Sequence, residues 1–195
     1  NCVSQVLQAT TAVNVIAAGL ATQRSSVIAW DKQDGKPASP LLSWRDQRGA
    51  ALVESLQSYA TRIHEKTGLR LTAYYGASKL HALTHENGSV NHLQQQGRLM
   101  LGPLASFLLF HLCRESPYCV DHANALRMQL LNQQTMAWDT ELCDLFSVPC
   151  DLLPRPVPTN QRYGFLKMQD IPLTAVNGDQ TAALYSRGQL PAGEV

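Results

Sequence analysis

The fold of this chain is decided by Pro172–Leu184, with the sequence PLTAVNGDQTAAL. The segment starts as an apolar, partly β-branched run that is typical of a strand, and Asn177-Gly178 is a turn signal. The residues from Thr181 onward favour a helix. Asp179 is therefore predicted at a helix N-terminus, where free backbone N–H groups favour an anion. Two interpretations stay open: Asp179 caps the helix, or it accepts a proton from a substrate hydroxyl at a strand's carboxyl edge.

The rest of the chain alternates apolar runs with helical periodicity. Strands are predicted over Val13–Ala21, Ser26–Trp30 and Leu41–Trp44. Helices are predicted over Arg45–Lys66, with Gly68 as the C-cap, and over Tyr75–Glu86, Leu104–Cys113 and Thr140–Phe146. The polar stretch Gly88–Gly97 is predicted to be a surface loop, and Pro154, Pro156 and Pro158 predict an extended connection. Strands mixed with helices indicate an α/β domain.

The composition argues against several classes of function. The 195 residues suffice for one domain or two. Only 16% of them are charged and the net charge is +1, without a basic run, so neither nucleic acid nor an anionic membrane is an expected partner. The longest apolar run, Leu104–Phe110, is too short to span a bilayer. No Walker motif and no Gly-x-Gly-x-x-Gly occurs.

The cysteines and histidines give no metal-ligand pattern. The five cysteines form no even-numbered disulfide framework and no Cys-x-x-Cys pair. This predicts reduced, mostly buried thiols in a cytoplasmic protein, and no metal site. His81 and His85 share a helical face, but without a third ligand a surface pair is the favoured interpretation. The N-terminal residues do not resemble a signal peptide.

Several short segments, in this order, resemble the FGGY family of carbohydrate kinases. They are Gly19–Ser26 (GLATQRSS) with Trp30–Pro37 (WDKQDGKP), Trp44–Arg48 (WRDQR), Lys66–Leu69 (KTGL) with Tyr74–Leu80 (YYGASKL), Asp121–Arg127 (DHANALR), Trp138-Asp139 with Leu152–Pro154, and Gly178–Ala183 (GDQTAA). The resemblance extends over almost the whole chain. It implies an incomplete ribonuclease-H-like α/β domain of the actin, hexokinase and sugar kinase superfamily, corresponding to the sugar-binding N-terminal domain.

The same resemblance implies an activity. It identifies Asp179 as the general base of an ATP-dependent phosphorylation of a sugar or polyol hydroxyl. ATP and Mg²⁺ are the implied cofactors, held mainly by a phosphate hairpin and a second domain outside residues 1–195, and a homo-oligomer is an open possibility. The alternative is a non-catalytic sugar-binding or regulatory module on the same scaffold.

Substrate contacts are implied at Arg24, Ser25, Trp44, Tyr74 and Gln180. Arg24 offers a fork of donors for hydroxyls, and its alternative role is an ion pair with Asp46. Trp44 offers an apolar face to a polyol's carbon edge or simply packs in the core. Gln180 either orients a hydroxyl or packs at the helix start, and the adjacent Tyr75 leaves the register of Tyr74 open by one residue.

Two positions depart from the family pattern. Members that use glycerol carry a glutamate where this chain has Ser25, and its loss removes a charge-assisted hydrogen bond. We therefore expect a larger sugar or polyol than glycerol to be the preferred substrate. Ala82 replaces a family tryptophan, which indicates a packing change. The family's motif residues Asp121, Asn124 and Arg127 are interpreted as structural.

Overall fold

The computed structural model describes residues 2–9, 14–167, 169–185 and 188. The helices are α1 Cys2–Ala9, α2 Ala50–Ser55, α3 Ala60–Thr67, α4 Gly76–Glu86, α5 Gly88–Gln95, α6 Leu104–Leu112, α7 His122–Leu126, α8 Thr140–Leu145 and α9 Asp179–Leu184, with 3-10 turns at Gln57–Tyr59 and Cys150–Leu152. The strands are β1 Ala18–Thr22, β2 Val27–Asp31, β3 Leu99–Pro103, β4 Cys119–Asp121, β5 Leu131–Asn132, β6 Ala137–Trp138, β7 Arg155–Val157, β8 Asn160–Phe165 and β9 Pro172–Gly178.

A three-stranded sheet positions the candidate site. Its order is β1-β9-β8, and β9 runs parallel to β1 and antiparallel to β8. At the carboxyl ends of the parallel pair, Thr22 lies opposite Gly178. The chain therefore leaves both strands at the same edge of the sheet, which brings the residues after Thr22 next to the start of α9.

Shorter strand pairs complete the framework. β2 pairs with β3 in antiparallel register, β4 with β7 in parallel register, and β5 with β6 in antiparallel register. The predicted strand Leu41–Trp44 contributes only an isolated bridge from Leu42 to Val27. The predicted strand Val13–Ala21 starts later, at Ala18, and Val13 lies outside the described residues.

Two apolar clusters form most of the core. The larger one joins β2 and β3 to helices α3, α4 and α8 and includes Ile63, Leu80, Leu101 and Phe146. The second lies between α6 and the three-stranded sheet and includes Leu109 and Val176. The second cluster anchors the sheet edge that carries the site, because each fully buried aliphatic or aromatic side chain contributes about 1.5–3 kcal/mol.

Two predicted segments were wrong in detail. The helix Arg45–Lys66 is divided, because the chain tightens into the 3-10 turn Gln57–Tyr59 between α2 and α3. Its predicted C-cap, Gly68, is confirmed by a left-handed backbone with φ 70°. The stretch Gly88–Gly97 contains α5 instead of a loop, because the Asn87 side chain caps the N–H of Val90 at 3.1 Å and Val90 is fully buried.

The prediction that all thiols are reduced was also wrong. Cys143 and Cys150 form a disulfide, with Cα atoms 5.8 Å apart. The chain reverses direction between them, where Ser147 has φ 51° and the N–H of Val148 donates to the carbonyl of Cys143 at 2.8 Å. Cys113 and Cys119 are free and buried, as predicted.

Cys113 and Cys119 are expected to resist alkylation in the folded protein. Burial raises the pKa of each thiol to about 11, so very little thiolate, the reactive form, is present near pH 8. Peptide mapping after iodoacetamide treatment should find both unmodified in native protein and both modified in urea. Rapid labelling of either one in native protein would show that α6 or β4 opens readily.

Candidate active site

A cleft of about 230 Å³ lies at the edge of the sheet where β1 and β9 end. It is lined by Gln23, Arg24, Trp44, Tyr74, Asp179 and Gln180. Five of the six residues predicted for the site therefore meet in one place, although they come from four separate parts of the sequence. Ser25 is the exception.

Asp179 is the first residue of α9 and is exposed. The N-cap is Gly178, so the interpretation of Asp179 as the capping residue does not describe this helix. One carboxylate oxygen, Oδ1, accepts the N–H of Gln180 at 2.8 Å. Asp179 forms no ion pair with any residue that the structure describes, which leaves an open carboxylate facing the cleft.

Arg24 reaches across the end of β9 to α9. Its Nη1 donates to Thr181 Oγ1 at 3.4 Å, and its Nη2 donates to Gln180 Oε1. Asp46, the alternative partner, instead pairs with Arg48 at 3.0 Å. Arg24 and Gln180 thus form one hydrogen-bonded unit beside Asp179, with N–H donors available to ligand hydroxyls.

Gly178 makes room for Arg24. A Cβ atom at Gly178 would overlap Cδ and Cγ of Arg24, although φ −69° and ψ 145° suit any residue. The requirement for glycine here is therefore steric, since the Arg24 side chain passes directly over this backbone position.

The opposite wall of the cleft is aromatic. The rings of Trp44 and Tyr74 have centroids 5.6 Å apart, and the N–H of Trp44 is held by Ser26 Oγ at 3.1 Å. Trp44 remains 39% exposed, so it is a surface of the cleft and not a core residue. Apolar ring faces opposite N–H donors match the alternating C–H and hydroxyl edges of a carbohydrate.

The two adjacent tyrosines make different contacts. Tyr75 turns away from the cleft, where its hydroxyl accepts from Arg127 Nη1 at 3.4 Å and the guanidinium lies 5.8 Å from its ring centroid. Tyr74 is the tyrosine that lines the cleft.

The structure does not bring Ser25 into the cleft. Ser25 is fully buried, has φ 63°, and its Oγ has no hydrogen-bond partner among the described residues. Its side chain therefore faces the protein interior, whereas that of the preceding Arg24 reaches α9.

Sequence reasoning missed Gln23, which lines the cleft directly before Arg24. The signal was its position at the end of a predicted strand, since side chains at the carboxyl ends of parallel strands gather at one edge. It also missed Ser26, which is buried and fixes the backbone of Trp44.

The Asp121 motif is linked by hydrogen bonds to the end of β1, next to the cleft. Asp121 and Asn124 are fully buried, and the Asp121 carboxylate accepts from the backbone N–H of Asn124 at 3.1 Å and from its side-chain amide at 2.7 Å. Burial raises the pKa of Asp121. Asn124 Oδ1 in turn accepts from Thr22 Oγ1 at 3.4 Å, so the motif fixes the end of β1. These contacts agree with a structural role.

Histidines and carboxylates do not gather into a metal centre in the described part of the chain. His81 and His85 stack with ring centroids 4.1 Å apart. Within the residues that the structure describes, no helix has the length and apolar character needed to cross a membrane.

Comparison with known proteins identifies the class. The model of the N-terminal domain of the FGGY family of carbohydrate kinases matches residues 1–185. The chain is 36% identical over 183 residues to a glycerol kinase of Synechocystis sp., with 89% of this chain and 36% of that protein covered. It is 34% identical to an apulose kinase of Pectobacterium atrosepticum, with 93% and 38% covered. The chain belongs to the FGGY family of carbohydrate kinases.

Solved structures agree with this assignment. The glycerol kinase of Plasmodium falciparum with ADP superimposes with a TM-score of 0.84 at 28% identity, covering 94% of this chain and 38% of that one. A xylulose kinase from Rhodospirillum rubrum has a TM-score of 0.75 at 18% identity, with 90% and 37% covered, and shows the fold alone. The predicted ribonuclease-H-like α/β fold is confirmed. The chain spans just over a third of the length of these relatives.

Proposed function

We propose that the protein containing this chain transfers the γ-phosphoryl group of ATP to a hydroxyl of a sugar or polyol, with Asp179 as the general base. The observation that carries the proposal is the single cleft in which an open carboxylate, the Arg24–Gln180 donor unit and an aromatic wall converge. Membership in a family of carbohydrate kinases supports the reaction class.

The polar and the aromatic residues of the cleft have different roles in this proposal. Arg24 and Gln180 donate hydrogen bonds to substrate hydroxyls, while Trp44 and Tyr74 pack against the carbon skeleton. This holds the reactive hydroxyl within hydrogen-bond reach of Asp179. As the new O–P bond forms, the hydroxyl proton passes to the Asp179 carboxylate, and the bond from the γ-phosphorus to the bridging oxygen of ADP breaks.

ATP and Mg²⁺ supply the phosphoryl group and neutralise its charge. In the described part of the chain no three acidic, histidine or cysteine side chains are placed to hold a metal ion, so these residues do not form a Mg²⁺ site of their own. We assign most contacts to ATP and Mg²⁺ to parts of the longer relatives that this chain does not match, and we expect residues 1–195 alone not to turn over ATP.

The preferred substrate is expected to be larger than glycerol. By the family resemblance, Ser25 stands where members that use glycerol carry a glutamate. Its hydroxyl is buried away from the cleft, so a small triol is expected to have fewer strong partners here. Measuring kcat/KM of the full-length protein for glycerol and for a panel of pentoses, pentitols and ketoses tests both the activity and this preference.

Each outcome of that panel has a meaning. Phosphorylation led by a pentose, pentitol or ketose supports the proposal. Phosphorylation led by glycerol keeps the activity but refutes the argument from Ser25. Carbohydrate binding without any turnover would favour the non-catalytic sugar-binding module.

A further inference from the structure

We propose that Lys79 is a positioning residue that holds the aromatic wall of the carbohydrate cleft in its binding conformation. Lys79 lies in the first turns of α4 and is fully buried. Its Nζ donates to three consecutive backbone carbonyls, those of Ala73, Tyr74 and Tyr75, each at 2.8 Å. A buried ammonium group thus ties together the segment that carries Tyr74.

The charge state fits this arrangement. Three carbonyl acceptors require three N–H donors, and only the protonated amine of lysine has three. Burial lowers the pKa of Lys79 to about 8, which leaves the ammonium form predominant at neutral pH. The carboxylate of Asp46 favours that form but is itself paired with Arg48. No described carboxylate forms an ion pair with Lys79, so its hydrogen bonds go to this one segment.

The segment connects directly to the cleft. The carbonyl of Tyr74 is held by Lys79, and the ring of the same residue lies 5.6 Å from Trp44 and 5.3 Å from Tyr75. Arg127 fixes Tyr75 from the other side, and its carbonyl accepts the N–H of Gly76 at 3.1 Å. Tyr74 is therefore ordered before a ligand arrives, and binding does not lose affinity to the ordering of this loop.

The free energy of folding gains little from a buried ammonium group, because its desolvation is costly unless all its hydrogen bonds are made. An apolar side chain of similar length would fill the same space. The three acceptors all belong to the loop Ala73–Tyr75 beside the cleft. Lys79 therefore fixes the conformation of this loop.

The inference rests on the proposed function only for the nature of the ligand. Two measurements, KM and the ¹⁹F resonance of Trp44, distinguish a failure of the inference from a failure of the proposed function. Lys79→Met in the full-length protein retains the length of the side chain and removes all N–H donors. We expect KM for the best carbohydrate of the panel to rise about 3- to 10-fold, because loop ordering then opposes binding, while kcat changes less than about twofold. In protein labelled with 5-fluorotryptophan, the ¹⁹F resonance of Trp44 should shift, because the Tyr74 ring beside it is released.

Lys66→Met is the matched control. Lys66 is a partly buried lysine that pairs with Asp139 at 2.7 Å and does not line the cleft, so its loss is expected to lower stability without releasing Tyr74. Its KM and Trp44 resonance should match wild type. If Lys79→Met does not fold, Lys79→Gln retains two N–H donors, and the resonance should shift in that variant as well.

Wild-type KM and an unchanged Trp44 resonance in a folded Lys79 variant would overturn the inference. If Lys66→Met raised KM equally, the effect would be one of general stability, which would overturn it too. If the wild-type protein phosphorylates no carbohydrate, the proposed function fails, and the Trp44 resonance alone then decides the role of Lys79.

Discussion

Asp179→Asn is expected to lower kcat of the full-length protein by about 10²- to 10⁴-fold, the range typical of a lost general base. Asparagine keeps the shape of the side chain but does not accept the hydroxyl proton. Because Asp179 is exposed and forms no ion pair with a described residue, the free energy of unfolding should change by less than about 0.5 kcal/mol. Carbohydrate affinity, measured by calorimetry, should change much less than turnover.

Asp170→Asn supplies the comparison for this variant. Asp170 is a highly exposed carboxylate that pairs with Arg114 and lies in the turn before β9, away from the cleft. Its kcat should equal that of wild type. Near-normal turnover in Asp179→Asn would show that another group accepts the proton or that positioning alone drives the transfer.

Gly178→Ala is expected to raise KM about 10- to 150-fold, which corresponds to the loss of one hydrogen bond to a charged donor, about 1.5–3 kcal/mol. The new methyl group would occupy the space of the Arg24 side chain, so Arg24 must leave Gln180 and the cleft. The backbone itself tolerates alanine, so the protein should remain folded. Steady-state kinetics on the carbohydrate substrate, together with a thermal unfolding curve, measures both effects.

Gly19→Ala tests whether the effect depends on Arg24. Gly19 lies in the neighbouring strand β1, and a Cβ atom there meets only the carbonyl of Ala175 at 3.9 Å, an ordinary contact. This variant should keep the KM of wild type. Equal losses in both glycine variants would indicate a general disturbance of the sheet, and an unchanged KM in Gly178→Ala would remove Arg24 from the substrate contacts.

Local signals in the sequence predicted the parts of the fold that local chemistry determines. The change from β-branched to helix-forming residues around Asn177-Gly178 located the junction of β9 and α9, and Gly68 ended α3 as expected. Asn87 follows the predicted helix Tyr75–Glu86 and is the C-cap of α4, but its side chain also caps the start of α5, where a loop was predicted.

Local sequence patterns did not predict the features that depend on tertiary contacts. The parallel pairing of β1 with β9 joins strands from opposite ends of the chain, so the position of Gln23 after a predicted strand did not by itself show which residues it would meet in the cleft. The disulfide of Cys143 and Cys150 depends on a chain reversal, not on a recognised spacing. The inward direction of Ser25 follows from its left-handed backbone, which its sequence neighbours do not predict.

The contact between Arg24 and Gln180 closes a loop of 156 residues. Closing so long a loop is entropically unfavourable, by an amount that grows with the logarithm of its length. The cleft therefore exists only when the intervening chain is folded, and partly folded forms lack it. On the proposed function, a carbohydrate that bridges both sides is expected to act as a reversible cross-link between distant parts of the sequence and to stabilise the native state as a whole by mass action. We therefore expect the concentration of substrate to affect the lifetime of the folded protein through the Arg24–Gln180 contact.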